Sequence, residues 1–172
     1  MAIEATEVYA KHWELYDAEA ARAHKTNGES FSLPNLHLSR TPNQSMAINR
    51  IRSGAIVIAG SGMCTGGRIK HHFKHNLWRS DCHVIIVGFQ AQGTLGRSLV
   101  DGAKHVRLWG ETIRVGAKIH TIGGLSAHAD CDELVAALRH LAPRCRRAFV
   151  VHGEEAPALK FCDRLRDVGF ED

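Results

Sequence analysis

An α/β architecture, a mostly parallel sheet with flanking helices, is predicted by three features of this 172-residue sequence. Two continuous apolar runs, residues 56–59 and 84–87, lack polar alternation, the pattern of strands covered on both faces. Residues 68–77 between them read as a polar helix, so run, helix and run predict a right-handed βαβ crossover. Residues 106–109 and 115–122 alternate partially with period two and predict a more antiparallel connector that turns at Gly110-Glu111.

Composition sets the bounds. With 44% hydrophobic and 23% charged residues the chain suits one or two compact domains with a real core, which excludes a disordered chain. A net charge of +4 permits a polyanionic partner without requiring one. Five widely spaced cysteines, without a CxxC pair or a signal peptide, predict reduced thiols and a cytoplasmic protein. No apolar run approaches the roughly 20 residues that cross a bilayer, so no membrane association is expected.

In chain order, residues 2–24 contain few strand formers and no Gly or Pro, and predict one long or two abutting helices. Nothing ahead of Met1 can satisfy the first N–H groups, which suggests a cut boundary at the start. Asn27-Gly28 predicts a turn and residues 36–38 a short strand. Thr41-Pro42-Asn43-Gln44 supplies a capping hydroxyl, a proline at the first helical position and a glutamine at the third, predicting a short helix to about Arg50.

The run at 56–59 opens into Gly60-Ser61-Gly62-Met63-Cys64-Thr65-Gly66-Gly67-Arg68. Such a loop lets backbone N–H groups, a helix start and an arginine converge on an anion, as in a phosphate cradle. Packing alone also produces glycine-rich turns, and both readings stand at this point. The spacing is neither GxGxxG nor a P-loop. His71 and His75, four apart, share a helix face, but no third ligand is placed nearby and surface residues are the simpler reading. A second loop, Gly88-Phe89-Gln90-Ala91-Gln92-Gly93-Thr94-Leu95-Gly96-Arg97, enters another short helix and would line the same cleft, although Gly88, Gly93 and Gly96 are equally read as allowing close packing.

Gly123-Gly124-Leu125-Ser126-Ala127-His128-Ala129-Asp130 leads to a helix over 130–140, capped by Asp130 with Glu133 three residues on. Residues 148–151 predict a strand that delivers His152-Gly153-Glu154, followed by a helix to about Val168. If the strands ending at His128 and His152 are neighbours, both imidazoles point into one pocket, a geometry that suits metal or acid–base chemistry. Taken singly, each is more often a hydrogen-bonded structural histidine.

Four stretches, Ala59 to Ile69, Gly88 to Arg97, Ser126 to Asp130 and Val151 to Glu154, together resemble, in order, the signatures of the β-CASP branch of metallo-β-lactamase-fold nucleases. The resemblance extends over nearly the whole chain. It implies that residues 1–125 are the later part of a β-CASP domain and residues 126–172 a returning βα segment of the metallo-β-lactamase domain, with RNA entering the cleft between the two. It implies further that His152 is a metal ligand and His128 the donor of a proton to the leaving oxygen, with Asp130 orienting it. Ser61, Gly62, Thr65, Gly66, Gly67 and Arg68 would hold RNA phosphates. Two zinc ions serve the complete enzyme of that family, held chiefly by an HxHxDH run and further ligands that this chain lacks. Gly60 stands where the family commonly has serine, and Leu125 where phenylalanine is usual.

The expectation is therefore part of a zinc-dependent ribonuclease, inactive alone and without its own zinc, whose partner is the missing N-terminal metallo-β-lactamase half. A naturally short, non-catalytic RNA-binding or regulatory protein is the alternative, and a nucleotide-binding α/β domain a third. The face left by a missing half would favour association, a homodimer included.

Overall fold

The N-terminal stretch divides into two helices, α1 (Ala2–Lys11) and α2 (Ala18–Asn27), joined through a 3-10 turn at Trp13–Leu15. The computed structural model describes residues 2–27, 33–126, 128–145 and 147–171. The expected start at Met1 and the glycine of the turn at Asn27-Gly28 lie outside the described residues.

Local signals place the next helix. In α3 (Pro42–Ile48) the Thr41 side chain accepts from the Gln44 N–H while the Gln44 side chain accepts from the Thr41 N–H, a complete capping box with proline in the first turn. In α4 (Arg68–Asn76), Ile69, Phe73 and the following Leu77 recur every four residues and face the core. Lys70, His71 and Lys74 keep the rest of the helix basic.

His72 fastens α3 to α4. Asn49 Oδ1 can only accept, so His72 Nδ1 carries the hydrogen (3.3 Å), leaving Nε2 to accept from the Ser45 hydroxyl (3.3 Å). Burial, and then the positive neighbours His71, His75 and Arg68, push the His72 imidazole below its ordinary pKa. A depressed folded-state value means that this stability is complete above about pH 6.5 and fades as the pH falls through the lowered value. The protection of α3 amides against hydrogen exchange, taken relative to the intrinsic rate at each pH, should fall on acidification from pH 7 to 5. His72→Gln should flatten that response; an unchanged profile in the variant would remove His72 as its source.

Strand β1 (His83–Ile86) pairs in parallel with β4 (Lys118–Thr121), His83 opposite Lys118 and Ile86 opposite Thr121. Parallel neighbours need a long crossover. Here it holds α5 (Leu95–Val100) and an antiparallel hairpin of β2 (His105–Leu108) and β3 (Glu111–Arg114). One core joins these parts, with Phe73, Leu77, Leu99, Val106 and Leu108 buried. The last elements, α6 (Cys131–Arg139) and α7 (Glu155–Asp167), pack separately around Ala142, Leu165 and Phe170. Asp130 and Glu133 form the capping box expected ahead of α6.

Several expected strands are corrected. Residues 56–59 form no strand, with Ile56 92% and Ile58 89% exposed. Residues 148–151 are likewise no strand, with Phe149 81% and Val151 79% exposed. An apolar run becomes a strand only where a neighbour completes its hydrogen-bond ladder, and no described segment does so for either run. The parallel partner of β1 is thus β4 rather than residues 56–59. Residues 36–38 form no strand. The alternating stretch 115–122 is not the hairpin partner of β2; that partner is β3, and the turn falls at Trp109-Gly110 instead of Gly110-Glu111. Among the described residues no helix is long and apolar enough to cross a membrane.

Candidate nucleic-acid interface

The first glycine loop closes on itself before it meets anything else. Ser61 Oγ accepts from the Gly66 N–H (3.2 Å) and donates to the Gly66 carbonyl (3.3 Å), and the Cys64 N–H reaches the Ser61 carbonyl (3.1 Å). Cys64 is buried beneath, and burial pushes its thiol up, so it packs as a small apolar anchor. Gly67 has φ 73°, and a Cβ there would lie 2.5 Å from the Gly60 carbonyl oxygen. Only glycine allows that approach. The Ile69 N–H then donates to the same Gly60 oxygen (3.2 Å), fastening the first turn of α4 to the loop. Gly62 and Thr65 are left exposed.

The second loop is joined to the first. The Gly96 N–H donates to the Met63 carbonyl (3.1 Å), and the buried Gln90 amide donates to the Gly62 carbonyl (3.1 Å) while reaching the Gly88 and Phe89 carbonyls. Thr94 caps α5 by accepting from the Arg97 N–H (3.2 Å). The expectation that the two loops line one region therefore has a covalently distant but direct linkage behind it. Gln90 was not among the predicted site residues; its position inside the second loop was the available signal.

Glu154 brings in the C-terminal part. Its Oε1 accepts from the Gln92 N–H (3.1 Å) and lies 3.7 Å from the Arg97 guanidinium. Arg97 in turn grips Asp101 one helical turn on (2.9 and 3.0 Å). The carboxylate just after His152-Gly153 is thus seated on the second loop. His152 itself has left-handed backbone, φ 65°, and an exposed side chain. His128 is exposed too, its N–H donating to Ser126 Oγ (3.3 Å). Asp130 is engaged as the cap of α6.

Arg68 has a structural duty that its position in the motif did not announce. Its guanidinium donates to the Ser39 carbonyl and to the Arg40 carbonyl (2.9 Å), tying the segment before α3 to the loop. Cavities of about 400 Å³, lined by Trp78, Arg79, Ser80, Asp81 and Arg114, and of about 60 Å³, beside Phe170, contain none of the predicted site residues. Among the described residues no three His, Cys, Asp or Glu side chains come together as a metal site. The donors present therefore do not fit zinc, which takes three or four protein ligands.

Two glycine loops joined by hydrogen bonds thus stand at the start of a basic helix, with a Gly-Glu turn docked on them. Residues 1–99 match the family model described as the Beta-Casp domain, and residues 112–171 match the Zn-dependent metallo-hydrolase RNA specificity domain. The chain belongs to the β-CASP family of metallo-β-lactamase-fold RNA nucleases.

Among its relatives, Ribonuclease TTHA0252 of Thermus thermophilus is 39% identical over 145 residues, 84% of this chain and 33% of that protein. Transcription termination factor FttA is 37% identical over 116 residues in Methanocaldococcus jannaschii, 64% of this chain and 18% of that protein. FttA of Thermococcus kodakarensis is 40% identical over 110 residues, 61% of this chain and 17% of that protein. The chain thus spans about a third of the length of the first relative and under a fifth of the others.

Proposed function

We propose that this chain is the RNA-gripping part of a metal-dependent ribonuclease, acting in RNA processing or decay in the cytoplasm. The observation that supports the reading is the bonding of the two glycine loops to each other and to Glu154, beside exposed Gly62 and Thr65 and the start of α4. Residues 1–125 are the β-CASP part and residues 126–172 the returning nuclease segment; the separate core around Ala142, Leu165 and Phe170 supports that division. Ser61, Gly66 and Gly67 hold the loop's shape, while Gly62 and Thr65 offer groups to phosphate.

His152 serves as one metal ligand in an assembly whose remaining ligands come from another segment, the N-terminal metallo-β-lactamase half. The uncovered apolar runs at 56–59 and 148–151 are where that half adds strands. A second copy of the chain covering the same runs is the competing association. His128 gives a proton to the leaving oxygen, with Asp130 holding the loop that carries it.

The test compares this chain with a version preceded by the metal-binding half of a relative. Single-stranded RNA should bind to both, and cleavage should appear only in the longer protein, together with bound zinc. Tight binding of a mononucleotide without affinity for RNA would defeat the reading in favour of a nucleotide-binding domain. RNA binding with no cleavage in the longer protein would favour a non-catalytic RNA-binding protein.

Arg68 acts in two ways on this account, bracing residues 39–40 and directing its remaining donors to phosphate. Arg68→Ala should weaken RNA binding and reduce the salt slope by about one unit, as loss of a single phosphate contact does. An unchanged slope would leave Arg68 as a brace alone.

A further inference from the structure

The β2–β3 hairpin turns on two residues, Trp109 and Gly110, both with positive φ (49° and 84°). That is the type I′ pattern, which asparagine or aspartate followed by glycine adopts most readily. A bulky tryptophan at its first position is strained, and a residue held in strained backbone is a reason to look for a use. The indole is not buried in compensation, since 52% of it remains exposed.

Its neighbours are a lysine and a histidine. Lys70 Nζ lies 4.9 Å from the indole centroid, and the His71 ring is tilted against it at 4.5 Å. The nearby carboxylate, Glu111, is engaged by Lys74 (2.6 Å), so it does not repel an anion freely. Lys70 and His71 stand in the first turn of α4, three and four residues after Gly67, about 4.5–6 Å along the helix from the glycine loop.

We propose that Trp109 is a stacking platform for a base of single-stranded RNA, beside the surface that holds the phosphates; the inference rests on the RNA reading above. A half-open aromatic ring beside a lysine ammonium recognises a nucleobase through its face while the adjacent charge meets the backbone. The strand that passes over the glycine loop continues along α4, and a neighbouring base lies on the indole.

Trp109→Asn tests this cleanly, because Asn-Gly relieves the turn and preserves the hairpin. The probes are a short oligoadenylate and inorganic polyphosphate, an anion without bases, measured on the full chain. Trp109→Asn should melt no lower than the parent and lose about 5- to 150-fold in oligoadenylate affinity, with polyphosphate binding unchanged. Trp109→Phe should retain most of the affinity. Equal oligoadenylate affinity in Trp109→Asn and parent, or equal loss for both probes, would overturn the platform. So would an altered sedimentation with intact RNA affinity, which would make the indole a contact between copies. If the parent binds polyphosphate but no RNA, the RNA reading itself fails and the platform with it.

Discussion

Gly67→Ala is expected to unfold the first glycine loop and abolish RNA binding while leaving the α6–α7 part folded. The new Cβ would sit 2.5 Å from the Gly60 oxygen and 2.9 Å from its carbonyl carbon, both backbone atoms that cannot swing aside. Left-handed backbone at a non-glycine residue adds about 1–3 kcal/mol of its own. Relief requires Gly60 to retreat, which breaks its bond from the Ile69 N–H and unfastens α4. Denaturant unfolding should show the loss in the core built on Phe73 and Leu77, and RNA titration a loss of binding. A variant as stable as the parent and with equal RNA affinity would mean that the close approach is dispensable.

His128→Ala, in the longer protein that carries the metal-binding half, should lower turnover by about 10²- to 10⁴-fold, the range of a lost general acid. Zinc content should remain nearly intact, because His128 is assigned to proton transfer and not to the metal. Both imidazoles are exposed in this chain, so the substitution has little packing to disturb. Parallel loss of zinc and turnover would reassign His128 as a ligand. His152→Ala supplies the contrast, with metal and activity expected to fall together.

What was legible in the sequence was local or carried by motifs. The capping boxes at Thr41 and Asp130 are complete within four residues, so neighbouring side chains alone decide them. The glycine loops were legible because few residues other than glycine permit such backbone. The strands at 56–59 and 148–151 were not, since their hydrophobicity declares what they would pair with and not whether the partner is there. The hairpin turn was misplaced by one residue because Trp109 is an improbable turn former, whereas Gly110-Glu111 reads naturally as a turn.

Within the site, residue types pointed to anion binding but not to the division of labour. Arg68 looked like a pure phosphate ligand until its two carbonyl contacts across 28 and 29 residues appeared. Gln90 and Glu154 lie in conspicuous motifs, yet their bonds to Gly62 and Gln92 are set by tertiary approach, which no local pattern encodes.

The central claim is that the two glycine loops act as one RNA-holding surface. Amide chemical shifts of the isotope-labelled chain, followed while short single-stranded RNA is added, test it most directly. The amides of residues 61–67 and 90–97 should move together and first, with those of the α4 first turn. Shifts confined to other surfaces, or movement of one loop without the other, would contradict it.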